Sequence, residues 1–361
     1  MNALVDRHEF ASDNTAAICP EAWAELQAAN EGGASSYGDD RWTQQVRERV
    51  RELFETDCEV FLVSNGTAAN GLALAQLCQS FNSIICHETA HIQTDECGAP
   101  EFFSGGSKLL PTEGANGKLD LAEVSAMIAR QPELHAPKPR ALSLTQATEL
   151  GTVYTIDELR AVSEFAKEHS LYLHMDGARF ANAAASLRCT PKAISWQAGV
   201  DVLCFGGTKN GTGAGELVIF FEKELARNFD YRLKQGGQLT SKMRFLAAPW
   251  LGLLHNNIWL RNAQRANDGA GLLCEKLRGA EIDNVFPREA NAVFVRMPGA
   301  LVDRLHRHGW QFYKFIEPDI YRFMCSWSVT KTAIEELITD VIEVEEGEHS
   351  DAKARQTTAQ A

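Results

Sequence analysis

Two short apolar segments, each ending at glycine and a charged residue, constrain the fold of this chain most. Residues 171–175 run into Asp176 and Arg179, and residues 200–205 run into the glycines that precede Lys209. Near-continuous apolar runs of this length predict strands that are buried on both faces of a sheet. Because ligands bind outside the carboxyl ends of strands in an open α/β sheet, we expect the acid and the lysine to share one site.

An acid and a lysine at two such strand ends fit the chemistry of pyridoxal phosphate. A lysine amine forms a Schiff base with the aldehyde of this cofactor. A carboxylate can pair with the pyridine nitrogen and strengthen the ring as an electron sink. These catalytic roles fall to Lys209 and Asp176. The alternative is an Asp176–Arg179 ion pair beside a solvated lysine, because ion-pair networks produce similar patterns.

A third segment, residues 65–70, follows an apolar run over 58–64 and opens an Ala/Leu-rich helix that reaches about Ser80. A strand, a glycine and a helix N-terminus together make an anion site, because backbone N–H groups and the helix dipole face outward. An ordinary strand–helix turn, with glycine present for backbone reasons, is the alternative. The position of this segment ahead of the Asp176 and Lys209 strands favours the anion site.

Residues 87–91 read His-Glu-Thr-Ala-His and match the H-E-x-x-H signature of zinc peptidases. That signature requires both histidines on one face of a helix, with a third ligand further along the chain. Here His87 adjoins the predicted strand over 82–86, and Gly98 and Pro100 soon interrupt any helix. We therefore predict no metal at this segment and keep a zinc peptidase that uses His87 and His91 as the alternative from a different class.

Composition excludes several partners. The net charge is −13, whereas phosphate backbones attract basic surfaces, so we expect no nucleic acid partner. No apolar run reaches the ~18 residues of a membrane span, and the N-terminus lacks the apolar core of a signal peptide. The nine cysteines are scattered without a C-x-x-C pair. They indicate reduced thiols, and the expected location is the cytoplasm.

The succession of strands and helices predicts an α/β chain with a doubly wound, mostly parallel sheet and a smaller C-terminal α+β domain. We expect an N-terminal arm over 1–20, a large cofactor-binding domain over 21–255, a small domain over 256–345 and a disordered tail over 346–361. A long helical pattern that ends near Gly279 is expected to be broken or bent near Pro249. Further predicted strands cover 140–146, 216–221, 292–297, 311–316 and 321–327. Further predicted helices cover 42–54, 119–131, 156–170, 301–308 and 332–344.

The segment His174–Arg179, followed by 205–211, resembles the L-threonine aldolase family of fold type I (aspartate aminotransferase-like) pyridoxal phosphate enzymes. The resemblance extends from Ser12–Asn14 to Arg322–Cys325. It implies an enzyme that cleaves L-threonine, L-allo-threonine or related L-β-hydroxy-α-amino acids, including phenylserine, to glycine and an aldehyde. It also implies a homotetramer with sites completed across a dimer interface.

The resemblance assigns roles to individual residues. The phosphate of the cofactor is expected at Gly66, Thr67 and Asn70, with a hydroxyl added by Thr208, and His91 is expected to stack on the pyridine ring. The substrate carboxylate is expected at Arg179 and Arg322, with a hydrogen bond from Ser12 and a contact from Tyr37. For Arg322 the alternative is a surface ion pair. Tyr37 is alternatively a partner-subunit contact or simple loop packing.

One departure from the family pattern concerns the general base. Many family members carry a histidine in a T-H-N sequence, where this chain has Thr148 and Glu149. The residue that accepts the proton of the substrate hydroxyl is therefore open among His91, Glu149 and a bound water.

Other reactions of the same cofactor share Lys209 and Asp176, so the motifs do not exclude β-elimination or racemisation. Product analysis separates these reactions, since cleavage gives glycine and an aldehyde whereas elimination gives pyruvate and ammonia. A binding protein without catalysis is disfavoured, because the lysine, the acid and the glycine-led loop are all present.

Overall fold

The computed structural model describes residues 7–130 and 134–343. The predicted tail over 346–361 and the first six residues of the predicted arm lie outside these ranges. No helix in the described ranges is both long and apolar enough to cross a bilayer.

The centre of the structure is a seven-stranded mixed sheet with the strand order β1-β7-β6-β5-β4-β2-β3. Only β7 runs against its neighbours β1 and β6, so the predicted doubly wound, mostly parallel sheet is confirmed. The strands are β1 Glu59–Val63, β2 Asn82–His87, β3 Lys108–Thr112, β4 Lys138–Thr145, β5 Tyr172–Gly177, β6 Val202–Phe205 and β7 Glu216–Phe220.

Strand β3 is absent from the sequence prediction. It lies at the sheet edge, where it pairs only with β2, and it contains Pro111. Proline is tolerated on an edge strand because one side of the strand needs no hydrogen-bond partner. Pro111 therefore makes the strand hard to predict from the sequence, yet it is compatible with an edge position in the sheet.

Helices cover both faces of the sheet. Within the described ranges they are α1 Pro20–Ala29, α2 Arg41–Phe54, α3 Gly66–Leu77, α4 His91–Thr94, α5 Ala99–Ser104, α6 Leu121–Ala129, α7 Ile156–Glu168, α8 Phe180–Leu187, α9 Phe229–Gln235, α10 Arg244–Leu254, α11 Ile258–Gly279, α12 Gly299–Arg307 and α13 over 331–343. In β7, Leu217 and Ile219 pack into one apolar cluster, whereas Val218 and Phe220 pack into another. Burial on both faces explains why these strands read as continuous apolar runs.

The helical pattern breaks near Pro249 but not at the proline itself. Pro249 lies inside α10, which continues to Leu254. The helical pattern breaks instead between α10 and α11, where Asn256 and Asn257 have φ values of 49° and 56°. Asparagine adopts this left-handed conformation more readily than most residues. The two asparagines, rather than the proline, separate the helices.

The second sheet is antiparallel with the order β8-β10-β9, formed by Ala292–Arg296, Ile320–Met324 and Tyr313–Ile316. The N-terminal segment packs against this part of the chain. Phe10 shares an apolar cluster with Trp310 and Phe323, and Arg7 forms a parallel bridge with Trp310. Phe10 of the predicted arm thus contributes to the C-terminal core, while the domain limits as a whole stay predictions.

Candidate active site

The carboxyl ends of five parallel strands meet around one cavity of ≈ 260 Å³. The turns after β1, β2, β4, β5 and β6 supply most of its wall. Of the predicted site residues, those in the wall are Gly66, Thr67, Asn70, His91, Asp176, Thr208 and Lys209. The acid and the lysine on which the prediction rested are therefore brought together at the expected edge of the sheet.

Asp176 lies near the end of β5 and is only 4% exposed. One carboxylate oxygen accepts a hydrogen bond from the Asn70 side chain at 2.9 Å, and the other accepts the Ala178 N–H at 3.0 Å. A buried carboxylate requires such partners, because an unpaired buried charge is costly. Asn70 thus orients the acid, and its predicted contact with the phosphate stays a prediction.

Lys209 lies in a single 3₁₀ turn, Thr208–Asn210, that follows β6. The turn lies close to the one after β5, because a Cβ on Gly206 would be 2.4 Å from the carbonyl oxygen of Ala178. Asn210 anchors its other end by donating to the Trp259 carbonyl at 2.8 Å and accepting from Asn262 at 2.9 Å. The lysine is thus held on a fixed backbone beside the β5 turn.

Helix α3 begins at Gly66, directly after β1. Asn65 caps it by accepting the Ala68 N–H at 2.9 Å. A Cβ placed on Gly66 would meet no heavy atom within 4 Å, so the space in front of the first turn is open. The first-turn N–H groups of this 12-residue helix therefore face a site that suits an anion.

His91 begins the short helix α4, and its Nδ1 lies 2.9 Å from Oε1 of Glu96. This hydrogen bond raises the pKa of His91 against the opposing effect of burial, and Asp176 adds to the rise. Oε1 of Glu96 also accepts a hydrogen bond from Asn70 at 2.8 Å. A continuous chain of hydrogen bonds therefore connects the histidine to Asp176.

The two histidines of the H-E-x-x-H segment lie on different elements. His87 ends β2, whereas His91 begins α4. His87 interacts through its ring nitrogens with the Thr89 hydroxyl at 2.8 Å and the Gly114 carbonyl at 3.0 Å. Across 7–130 and 134–343, no three His, Cys, Asp or Glu side chains are grouped to hold a metal ion. The single-helix geometry that the zinc alternative requires does not form.

Arg179 follows β5, but the structure pairs it with Asp13 rather than placing it in the cavity wall. Its Nε and Nη2 donate to the two Asp13 oxygens at 2.7 and 3.0 Å, and Asn291 donates to the same carboxylate at 3.1 Å. Although burial opposes the change, the Arg179 charge lowers the pKa of Asp13. Nη1 of Arg179 lies 4.0 Å from Oε2 of Glu149. The predicted contact of Arg179 with a carboxylate ligand stays a prediction.

Three other predicted residues also lie outside the cavity wall. Arg322 lies near this charge cluster: its guanidinium is 4.9 Å from the Phe315 ring, and its buried Nε has no hydrogen-bond partner in the described residues. The Ser12 hydroxyl accepts the Asn14 N–H at 3.2 Å. Tyr37 is 49% exposed, with the Lys234 ammonium 4.8 Å from its ring centre. Their predicted contacts with substrate stay predictions.

Comparisons with known proteins agree with this geometry. The family model described as "Beta-eliminating lyase" matches residues 9–299. A "Low specificity L-threonine aldolase" from Pseudomonas sp. (strain NCIMB 10558) is 54% identical, covering 92% of this chain and 96% of that protein. The protein of that name from Escherichia coli K12 is 30% identical over 76% of this chain and 80% of its own length. The chain belongs to the L-threonine aldolase family.

A solved structure supports the family assignment. The structure described as that of Leishmania major threonine aldolase has a TM-score of 0.88 and 26% identity, covering 93% of this chain and 98% of that one. The predicted family, the type I fold and the class of pyridoxal phosphate-dependent carbon–carbon lyases are confirmed. The cavity fits that cofactor, since it combines an open helix N-terminus, a lysine and a hydrogen-bonded acid.

The sequence prediction missed Glu216, an acid that the family resemblance does not assign. Glu216 begins β7, is 7% exposed and lines the cavity, where it accepts a hydrogen bond from the Gly207 N–H. Burial raises its pKa to about 7, although hydrogen bonds from Thr208 and Gly207 oppose the rise. The signal in the sequence that could have indicated Glu216 is an acid at the first position of an otherwise apolar strand.

From the titration of Glu216 we predict that the free energy of unfolding falls as pH rises. Its folded pKa of about 7 exceeds the ordinary value of 4.5, so its contribution is fully present below pH 4.5 and is lost as pH rises through 7. Glu216→Gln keeps an acceptor for Gly207 and removes the titration. We expect the variant to exceed the natural protein in free energy of unfolding by about 1–3 kcal/mol at pH 8.5 and to match it near pH 5.

Urea unfolding of the cofactor-free proteins at the two pH values measures this difference. A stability difference that is the same at both pH values would show that Glu216 does not titrate as described.

Proposed function

We propose that the chain is a pyridoxal phosphate-dependent aldolase that cleaves L-threonine, L-allo-threonine and related L-β-hydroxy-α-amino acids, including phenylserine, to glycine and an aldehyde. The observation that carries the proposal is the opening of Lys209 and Asp176 into one cavity beside the N-terminus of α3. The 54% identity with a low specificity L-threonine aldolase supports the reaction class.

Different residues of the cavity would contact different parts of the cofactor. The N–H groups of Gly66 and Thr67 and the hydroxyl of Thr208 would hold the phosphate, and Asp176 would pair with the pyridine nitrogen. His91 would lie against the ring face, where offset stacking is favourable. When bound, the cofactor supplies an electron sink for the bond that breaks at Cα.

Asp176 acts through its charge and its fixed position. Asn70 and Ala178 each donate a hydrogen bond to one of its oxygens, so the orientation of the carboxylate is fixed before any ligand binds. Preorganised groups of this kind stabilise developing charge without reorganisation during the reaction. Lys209 would hold the cofactor and then carry the proton that Cα receives, because its amine is freed when the substrate amine takes its place.

Arg322 is the better supported of the two arginines for the substrate carboxylate. Both Asp13 oxygens already engage Arg179, whereas the buried Nε of Arg322 has no partner in the described residues. Burial lowers the pKa of Arg322, and the nearby charge of Arg179 adds to this effect. A carboxylate ligand would satisfy the unpaired donor. This grip would fix which bond at Cα lies perpendicular to the cofactor ring.

Product analysis tests the proposal. The purified protein, loaded with pyridoxal phosphate, is expected to convert L-threonine to equal amounts of glycine and acetaldehyde. The family description "Beta-eliminating lyase" makes elimination the second candidate, and it would release ammonia and a 2-oxo acid instead. Ammonia without glycine would overturn the aldolase assignment while leaving the cofactor assignment in place.

We also propose a homotetramer in the cytoplasm, with sites completed across a dimer interface. The location rests on the nine cysteines, which are all free thiols. The assembly rests on the family resemblance and on the high exposure of Tyr37, which leaves its ring open to a neighbouring subunit. Light scattering of the purified protein tests the assembly, and a monomeric mass with full activity would contradict it.

A further inference from the structure

Four carboxylates line the cavity, those of Glu96, Glu149, Asp176 and Glu216. Three of them have hydrogen-bonding partners within the protein, as described above. Within the described ranges, neither oxygen of Glu149 accepts a hydrogen bond, and its nearest cation, Nη1 of Arg179, lies 4.0 Å from Oε2. The side chain is nevertheless only 9% exposed. Oε2 of Glu96 also lacks a partner, but that atom is buried. Glu149 is therefore the carboxylate of the cavity wall with both oxygens available to a ligand.

The turn that carries Glu149 is held in place on both sides. The Gln146 side chain donates to the Tyr154 carbonyl and accepts the Tyr154 N–H, each at 2.9 Å. The Thr148 hydroxyl lies 2.8 Å from that of Thr152 and is buried, so it faces away from the cavity. Of the two residues at this point of the chain, only Glu149 presents a polar group to the ligand.

His91 is the other group in the wall that could accept a proton. Its Nδ1 is occupied by Glu96 at 2.9 Å, and its Nε2 lies 3.6 Å from Asp95. The hydrogen bond that Nδ1 donates to Glu96 also raises the pKa of His91. Both ring nitrogens thus face carboxylates of the protein, so the geometry of His91 suits ring stacking better than proton abstraction.

We propose that Glu149 is the catalytic base that accepts the proton of the β-hydroxyl group. The carboxylate takes the hydroxyl proton, the electron pair of the O–H bond forms the carbonyl of the leaving aldehyde, and the electron pair of the Cα–Cβ bond remains on Cα, where the cofactor would supply the electron sink. Lys209 would then donate a proton to Cα, and the proton held by Glu149 returns through solvent to Lys209. Atoms and charge balance without a further reactant. This inference rests on the proposed aldolase function.

Glu149→Gln tests the inference, because the amide keeps the size of the side chain and cannot take the proton. We expect kcat/KM for L-threonine cleavage to fall by about 10²–10⁴-fold, the range for loss of a general base. The Kd of glycine, which has no β-hydroxyl group and is followed through the absorbance of the cofactor, is expected to stay within about threefold. Glu88→Gln, an exposed glutamate after β2, is the control and should leave both values unchanged.

Glu149→His provides the second measurement. Imidazole can replace the carboxylate as a base, so we expect partial recovery over the glutamine variant, with an acidic limb in the rate near pH 6.5. The inference is overturned if Glu149→Gln keeps more than a third of the cleavage rate, if glycine affinity falls in parallel with cleavage, or if the histidine variant keeps the natural pH profile. Failure of the natural protein to release glycine would instead overturn the proposed function.

Discussion

Replacing Lys209 with alanine is expected to abolish cleavage of L-threonine, with a fall of at least about 10³-fold. The reason is that one side chain supplies both the covalent attachment of the cofactor and the proton for Cα, and loss of a proton-transfer group alone costs about 10²–10⁴-fold. We also expect the absorbance near the visible edge, which depends on that attachment, to disappear. Activity assays and absorbance spectra of the purified variant measure both effects.

Lys331→Ala is the matched control, because this lysine is exposed and, among the residues that the structure describes, pairs with Glu335 on α13. It should keep the activity and the spectrum of the natural protein. If the Lys209 variant retained the spectrum and the activity, another amine would have to hold the cofactor, and the assignment of the β6 turn would be wrong.

Asp176→Asn is expected to retain the fold and the cofactor but to lose about 10²–10⁴-fold in cleavage rate. Removing one member of a buried charge pair costs about 3–5 kcal/mol, and we expect this loss to appear in the barrier because the positive charge on the ring nitrogen is lost with it. The substituted amide can still accept the Ala178 N–H, so the turn after β5 should keep its position. Steady-state kinetics, with a titration of pyridoxal phosphate onto the cofactor-free variant, separates rate from binding.

Asn70→Asp provides a useful comparison, since it removes the donor to Asp176 and places a second carboxylate beside it. Repulsion between the two acids should weaken cofactor binding, whereas Asp176→Asn should retain it. A rate for Asp176→Asn within about threefold of the natural protein would show that the ring nitrogen does not rely on this acid.

The parts of the fold that the sequence predicts well are those in which local pattern and tertiary burial agree. Strands β5 and β6 are buried on both faces, so their apolar runs are nearly continuous, and glycines mark their ends. The approach of Gly206 to Ala178 also explains why glycine is required beside the lysine. The positions of Asp176 and Lys209 could therefore be inferred from residues alone.

Contacts between distant parts of the chain could not be inferred in this way. Asp13 and Arg179 are 166 residues apart, and no local sequence pattern predicts their ion pair. The predicted carboxylate site consequently assigned Arg179 to a ligand without recognising its protein partner. The base was left open among His91, Glu149 and a bound water for the same reason, since only the folded chain places Glu149 in the cavity wall beside Lys209.

The most direct test of the account is chemical identification of the residue that holds the cofactor. The protein is loaded with pyridoxal phosphate, treated with borohydride to fix the covalent bond, digested and examined by mass spectrometry. We expect the added mass on the peptide that contains Lys209, at one equivalent per chain. Modification of a different lysine, or a protein that takes up no cofactor while fully folded, would contradict the convergence of Lys209 and Asp176 on one ring.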